Sequence, residues 1–517
     1  MFTSRRPRLF LAVLVLLAAP AAVWAMAPAL PRVFSDNMVL QRERPIPIWG
    51  RAGAGEEITI TLGDVTVTTK ADAAGHWMAQ LPAMPAGGPH TLVVKGQNPV
   101  TFKNVMIGEV WVCSGQSNMA WTLSRAQDAE KEIAAANHPN LRLFTVRLKT
   151  SPLPLKDVEG GPWQVCTPQT ARDFSAVAYF YGRELQEKLN VPIGLINTSW
   201  GGTAIEPWTP PVGFAAMPAV AQYYDQIEQA DREYIEALTQ YVQKRAEWVK
   251  SAKDVKLDAD DKVDPAPTVP EHALANNNGL PSVIYNAMVD PLVPYAIAGA
   301  IWYQGETNCG RNDGPLYHEK MKALIQGWRT VWDQGEFPFY YVQLAPWEYG
   351  VKNPGSPDRL PLIWEAQTAT LSFPNTGMAV ITDVGNTKDI HPRNKQAVGR
   401  RLALWALAKT YGIKDLVYSG PLYKSMKIEG DKIRLSFDHV GSGLASRDGK
   451  PLTWFQIAGA DKRFVDAQAI IDGDTVVVSS DQVKEPVAVR FGWNELAEPN
   501  LMNREGLPAS PFRTDRW

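Results

Sequence analysis

Two textures of hydrophobic patterning divide this chain. Between residues 30 and 107, short apolar stretches alternate with polar positions at period two, as in Ile58-Thr59-Ile60-Thr61-Leu62 and Val65-Thr66-Val67-Thr68 around the Gly63-Asp64 turn signal. Gly75-His76-Trp77 and Thr91-Leu92-Val93-Val94 continue the pattern. Such alternation predicts a small antiparallel β-sandwich over residues 26–107. Near-continuous apolar runs then take over: Val110–Val112, Val191–Ile196, Ala298–Tyr303, Phe339–Leu344 and Ala379–Thr382. Runs of this kind predict parallel strands buried on both faces. Helical patterns over Tyr179–Leu189, Tyr317–Trp332 and Asn394–Tyr411 separate them, giving an α/β domain over residues 108–412. Val220–Lys253 reads as one or two long polar helices and precedes the Asp/Pro-rich stretch Asp258–Pro270. This insertion, about residues 211–270, either lines an active-site mouth or forms a solvated helical hairpin. From Leu416 the strand pattern returns in Lys432–Phe437, Thr475–Ser479 and Val487–Phe491, predicting a second β region over 413–517.

Composition adds limits. With 517 residues the chain exceeds one core. Arg5, Arg6 and Arg8 precede the apolar run Leu9–Ala19, and Val23-Trp24-Ala25 fits a small-residue cleavage site. Residues 1–25 therefore read as a signal peptide, too short in its apolar run to span a bilayer, and the mature chain as periplasmic or secreted. Losing those three arginines moves the formal charge from −2 to −5. A mildly acidic chain carries no electrostatic footprint for nucleic acid. Cys113, Cys166 and Cys309 show no metal-ligand spacing, and the sequence leaves open one disulfide or three buried thiols.

Four islands carry chemistry. Gly115-Gln116-Ser117-Asn118-Met119-Ala120-Trp121 follows the run Val110-Trp111-Val112-Cys113, so Ser117 is presented in a glycine turn at a strand end. A serine hydroxyl needs a base within hydrogen-bond reach, and the base needs a carboxylate to fix its tautomer. Asp389-Ile390-His391-Pro392 offers both. Residues two apart do not face each other on a helix, and Pro392 biases its predecessor away from helical angles, so the pair belongs on a loop. An oxyanion needs preorganised donors. Candidates are the N–H of Ser117, Gly201 or Gly202 in Trp200-Gly201-Gly202-Thr203, and the side-chain amide of Gln304 in Trp302-Tyr303-Gln304-Gly305-Glu306-Thr307-Asn308. All fall at predicted strand C-termini, where open α/β sheets bind ligands. Together they read as a serine esterase. Glu306, Asn118 and Asn308 read as supporting residues that hold loops in place.

These motifs resemble those of the sialate O-acetylesterase family of the SGNH-hydrolase superfamily. The likeness runs from Leu30-Pro31-Arg32-Val33-Phe34-Ser35-Asp36-Asn37-Met38-Val39-Leu40-Gln41 to the C-terminal β region. It implies a flavodoxin-like catalytic domain and a carbohydrate deacetylase that needs no cofactor. By the same likeness Ser117 is the nucleophile, His391 the base, and a glycine of Trp200-Gly201-Gly202 with Gln304 the oxyanion donors. Two departures stand out. The superfamily's third block usually carries asparagine where this chain has Gln304, and its acid usually lies three before the histidine, where this chain has Lys388. Asp389 is therefore taken as the orienting acid, with Asp383 and Glu306 as alternatives.

The implied substrate is an O-acetylated oligo- or polysaccharide, with plant xyloglucan or xylan placed slightly ahead of O-acetyl sialic acid. A sialate carboxylate calls for an arginine at the mouth, a neutral glycan for exposed aromatics. Arg125, Arg172 and Arg311 are arginines the sequence does not place, and Trp121, Trp200 and Trp208 are the aromatics nearest the motifs. The sequon Asn197-Thr198-Ser199 abuts a buried strand and reads as unmodified. His138, His272 and His318 lack an adjacent acid-bearing loop. Position 119 is methionine, so there is no Gly-x-Ser-x-Gly elbow. His318-Glu319 lacks the second histidine of a zinc protease, and no phosphate-binding or dinucleotide fingerprint occurs. The readings from other classes are a glycoside hydrolase using Glu306 and Asp389, and a carbohydrate-binding protein without catalysis.

Overall fold

A computed structural model of the chain describes residues 28–253, 265–352 and 358–517. The expected signal peptide, and residues 258–264 of the Asp/Pro-rich stretch, lie outside the described residues. The centre is a sheet in the order Thr376–Ala379, Phe339–Val342, Gly299–Tyr303, Pro99–Gly115, Ile193–Ser199, His138–Thr145, Gln164–Cys166. Each pairing in that order is parallel except the last, His138–Thr145 with Gln164–Cys166. Along the chain the sheet grows first to one side of Pro99–Gly115 and then crosses to the other. The crossing opens a crevice at the carboxyl ends of Pro99–Gly115 and Gly299–Tyr303, where such sheets place their ligands. Helices Ala176–Leu189 and Lys395–Trp405 pack on each other, as Leu316–Trp332 does on Arg359–Ala369 and Pro211–Ala215. The fold is mixed α/β.

Pro99–Gly115 explains both textures in one element. Its burial alternates up to Asn104 and is complete from Val105 onward. The first half pairs with Gly87–Lys95 in the N-terminal β region, and the second half lies in the central sheet. The boundary expected between residues 107 and 108 thus falls inside one strand. One continuous core runs from Val33 to Leu407. The C-terminal region has a core of its own, in which Ile433, Leu435, Val476 and Val478 of one four-stranded sheet meet Phe455, Ile457, Val489 and Phe491 of another.

The apolar runs mark five of the central strands to within a few residues. His138–Thr145 escapes them because Arg142 interrupts its apolar face. Arg142 is nonetheless buried, its guanidinium donating to Pro139 O and Asn104 Oδ1. The polar insertion is a single helix, Gln222–Lys253. The helical pattern after Asn394 is an α-helix, Lys395–Trp405, followed by a π-helical turn, Ala406–Thr410. All three cysteines are buried free thiols. No helix among the described residues is long and apolar enough to cross a membrane.

Candidate active site

Ser117 opens a short helix, Ser117–Ala120, two residues past the end of its strand. The turn is tight because Gly115 adopts φ +141°, and a Cβ there would lie 2.1 Å from Tyr303 O. Only glycine fits that conformation and that approach. Gln116 N–H donates to Tyr303 O at 2.9 Å and Trp200 N–H to Gly115 O at 3.0 Å, so three neighbouring strand ends are tied together. Gly201 faces Ser117 directly: a Cβ on it would stand 3.3 Å from Ser117 Cβ. Gly202, at φ +76°, would meet nothing within 4 Å.

His391 Nε2 lies 2.9 Å from Ser117 Oγ. Asn386 O accepts Asp389 N–H at 2.9 Å, and this turn sets Asp389 beside the histidine. Asp389 Oδ1 accepts His391 N–H at 3.0 Å and stands 3.6 Å from Nδ1, an ion-pair contact rather than a hydrogen bond. The alternative acids are occupied elsewhere. Asp383 is held by Arg401 at 2.6 and 2.7 Å, and Glu306 Oε1 accepts from Asn118 Nδ2 at 2.5 Å. The indole of Trp121 stacks on His391 with centroids 4.7 Å apart. Burial and the Lys395 charge hold the His391 imidazolium below its ordinary range, against the opposing pull of Asp389. The imidazole is thereby kept free to accept a proton.

Gln304 departs from its expected place as an oxyanion donor. It is fully buried, and its Nε2 faces Asn308 Oδ1 at 2.6 Å, Gln116 Oε1 at 3.1 Å and Thr203 O at 3.2 Å. Two hydrogens already face three acceptors, while Oε1 accepts from Tyr317 at 2.8 Å. The extra methylene of glutamine carries the amide back into the protein. Asn308 holds it there, and its own Nδ2 donates to Glu206 at 3.1 Å and Asp313 at 2.6 Å. Asn118 Nδ2 also donates to Ile390 O at 3.0 Å, bringing the histidine loop against the Ser117 turn. Glu306 hydrogen-bonds neither Gln304 nor His391, its buried Oε2 having no hydrogen-bond partner among the described residues. Trp208 is fully buried, Trp200 half-buried.

Two groups, Gln116 and Lys395, escaped the sequence reading, while Arg125 was named there without a place. Gln116 Oε1 also accepts the N–H groups of Gly305 and Thr307, each at 3.3 Å. Lys395 is buried four residues after His391, at helical spacing in a segment whose start is a loop. Arg125 is exposed, its guanidinium 3.7 Å above the Trp121 ring. His272 does have an acid, Asp231, at 3.0 Å, because the long helix brings it from 41 residues away. Its other ring nitrogen accepts Leu274 N–H, so the pair is structural. Among the described residues no group of His, Cys, Asp or Glu could hold a metal ion.

A hydroxyl facing an imidazole at the crevice of a parallel sheet is the arrangement of an ester hydrolase. Residues 107–261 and 277–407 match the family described as carbohydrate esterase, sialic acid-specific acetylesterase. The chain is 32% identical over 445 residues to the sialate O-acetylesterase of Rattus norvegicus, covering 78% of each. It is 30% identical to that of Homo sapiens, over 77% of this chain and 74% of the other. Its structure resembles a crystal structure of a carbohydrate acetylesterase from Xanthomonas citri, with TM-score 0.81 and 40% identity over 95% of this chain and all of that one. The chain belongs to the carbohydrate esterase, sialic acid-specific acetylesterase family, and is a carboxylic-ester hydrolase.

Proposed function

We propose that this protein removes O-acetyl groups from a glycan through an acetyl-serine intermediate. The observation that carries the reading is the 2.9 Å contact between Ser117 Oγ and His391 Nε2 at the sheet crevice. Ser117 Oγ attacks the acetyl carbonyl as His391 takes its proton, and Asp389 holds the imidazolium. The oxyanion rests on the N–H of Ser117 and of Gly201 or Gly202, Gln304 serving to fix the turns behind them. His391 returns the proton to the departing sugar oxygen, and water then releases acetate by the same path reversed. The parallel order and the site's place at the strand ends support an SGNH, flavodoxin-like catalytic domain. The charged-then-apolar N-terminus supports export to the periplasm or beyond.

For the substrate, the position of Arg125 favours an acidic sugar such as O-acetyl sialic acid over the neutral plant polysaccharide preferred from the sequence. No carboxylate pairs with Arg125 among the described residues, it lies on the ring that stacks against His391, and its charge is felt there. Arg311 by contrast lies 3.7 Å from buried Glu206. The aromatics nearest the motifs are half-buried or buried rather than exposed. The names of the rat and human relatives agree with this preference.

The test is acetate release from O-acetylated sialic acid, acetylated xyloglucan and acetylated xylan by wild type, Ser117→Ala and Arg125→Gln. Release by wild type but not by Ser117→Ala is expected, with Arg125→Gln raising KM for the sialate alone. Activity surviving in Ser117→Ala would sink the serine mechanism. A KM raised equally for neutral glycans would sink the acidic-sugar preference.

A further inference from the structure

Lys395 is fully buried, yet no carboxylate lies within ion-pair distance of its ammonium among the described residues. Its Nζ donates to Asn118 Oδ1 and otherwise faces two rings, Tyr303 at 5.3 Å and Trp121 at 5.6 Å from their centroids. Burial pulls its ammonium down to about 7, against the weaker opposing charges of Glu306 and Asp389. A cation so placed costs stability, and an apolar side chain of similar volume would be the cheaper occupant. Stability therefore gives no account of Lys395. Its geometry does. Asn118 is the residue after the nucleophile, and it grips the histidine loop on both sides of His391. Asn118 Nδ2 donates to Ile390 O just before it, and Asn118 Oδ1 accepts from Lys395 four residues after it. The second Nδ2 hydrogen goes to Glu306 Oε1. The amide is thus fixed by a cation on one side and by a carboxylate and a carbonyl on the other.

We propose that Lys395 is a positioning residue for the Ser117–His391 pair: together with Ile390 it clamps the histidine loop onto Asn118, setting the distance over which the proton moves. The inference rests on the serine reading above. Without Lys395 the Asn118 carbonyl becomes a buried acceptor with no donor, and the amide rotates to find one. Ile390 then loses its partner and the loop is free to shift. A displacement of about 1 Å at such a pair costs on the order of a hundredfold in rate. The charges facing His391 come from three directions: Asp389 on its own loop, Lys395 on the following helix, and Arg125 across Trp121. Of these, Lys395 is the charge that most opposes protonation of the base.

The experiment compares wild type, Lys395→Met, Glu306→Gln and the double variant, with 4-nitrophenyl acetate and O-acetylated sialic acid across pH, alongside thermal melting. Lys395→Met is expected to lower kcat roughly 10- to 100-fold with KM within about twofold. The acid limb of its kcat/KM profile should move up by roughly half a pH unit or more. The double variant, which removes both buried charges, should melt no lower than wild type yet recover neither kcat nor the acid limb. If Lys395 were only half of a charge balance, the double variant would regain wild-type kcat, and that result would overturn the clamp. Should Lys395→Met fail to fold, the double variant carries the test. Activity in Ser117→Ala, run alongside, would remove the serine reading and the clamp with it. A fully active Lys395→Met beside an inactive Ser117→Ala would remove the clamp alone.

Discussion

Replacing Asp389 with asparagine separates the three carboxylates that could orient His391. The substitution keeps an oxygen to accept His391 N–H, now at 3.0 Å, and removes the charge 3.6 Å from Nδ1. At that separation a unit pair is worth about 1 kcal/mol in water-like surroundings and about 4–5 kcal/mol at an effective dielectric of about 20. The side chains are 26% and 37% exposed, so solvent screening brings the contribution to about 2 kcal/mol. Asp389→Asn should therefore lower kcat/KM roughly thirtyfold. A buried triad carboxylate is worth far more, about 10⁴-fold. The pH profile supplies a second, signed readout. Asp389 favours the imidazolium and so raises the His391 pKa. Its removal lowers that pKa, the base stays neutral further into acid, and the acid limb of kcat/KM shifts to lower pH. The assay is acetate release across pH by Asp389→Asn, Asp383→Asn and Glu306→Gln, each with a melting curve. The reasoning fails if Asp389→Asn stays within about twofold of wild type at every pH. It also fails if Asp383→Asn loses activity as steeply with its melting temperature unchanged.

Two further outcomes follow from the same geometry. Gly201→Ala places a Cβ 3.3 Å from Ser117 Cβ and should lower kcat roughly 10- to 100-fold with melting unchanged; wild-type kcat would show that Gly201 does not face the oxyanion. Lys320→Met strands Glu206 and Asp313, whose carboxylates now lie 2.7 and 2.6 Å from the Lys320 ammonium. Burial alone would raise Glu206, but Lys320 reverses this and holds it below the usual carboxylate range. Leaving the pair with only the half-exposed Arg311, 3.7 Å from Glu206, as counter-charge should cost about 3 kcal/mol, seen as a clear fall in melting temperature at neutral pH, and an unchanged melt would show that the cluster does not stabilise the fold.

Much of this architecture was legible because burial writes itself into hydrophobic texture. Period-two alternation and continuous apolar runs located most strands, and Gly115, Gly201 and the Asp389–His391 loop could be placed at strand ends from turn chemistry alone. What stayed hidden shares one cause. Arg142, Lys395 and Gln304 are polar by type and buried in fact, and only their partners justify it. Asn104 lies 38 residues from Arg142 and Asn118 lies 277 from Lys395, distances over which no local pattern speaks. Gln304 was found but given the wrong surroundings, since a side-chain amide at a strand end serves an oxyanion or a neighbouring turn equally well until its acceptors are seen. Asp231 reached His272 by the same long-range route.

The two β regions hold the site in different ways, and the difference follows from where their cores lie. The N-terminal region shares one core with the α/β layers and delivers Ser117 on a strand hydrogen-bonded along both halves. Ser117 is therefore fixed by elements that begin well before the central sheet, including Val39–Gln41, which pairs with Met106–Gly108. The C-terminal region keeps its own core and meets the α/β layers both through Leu416, Tyr418 and Leu422, which pack against the shared core, and through polar contacts. Ser510 bonds Gln343, Arg513 grips Glu365 with two bonds of 2.9 Å, and Arg447 donates to Asp383 O. Asp383 is also the anchor of Arg401 and stands at the head of the loop that leads to His391. Ser117 is thus set by the shared apolar core, and the loop that carries His391 rests on the same core through Val384 and Ile390 while bordering the polar seam at Asp383. The remaining side of that loop is the one Asn118 meets, through Ile390 O and through Lys395 at the start of the following helix, so the loop is held by packing, by the seam and by the Ser117 turn together.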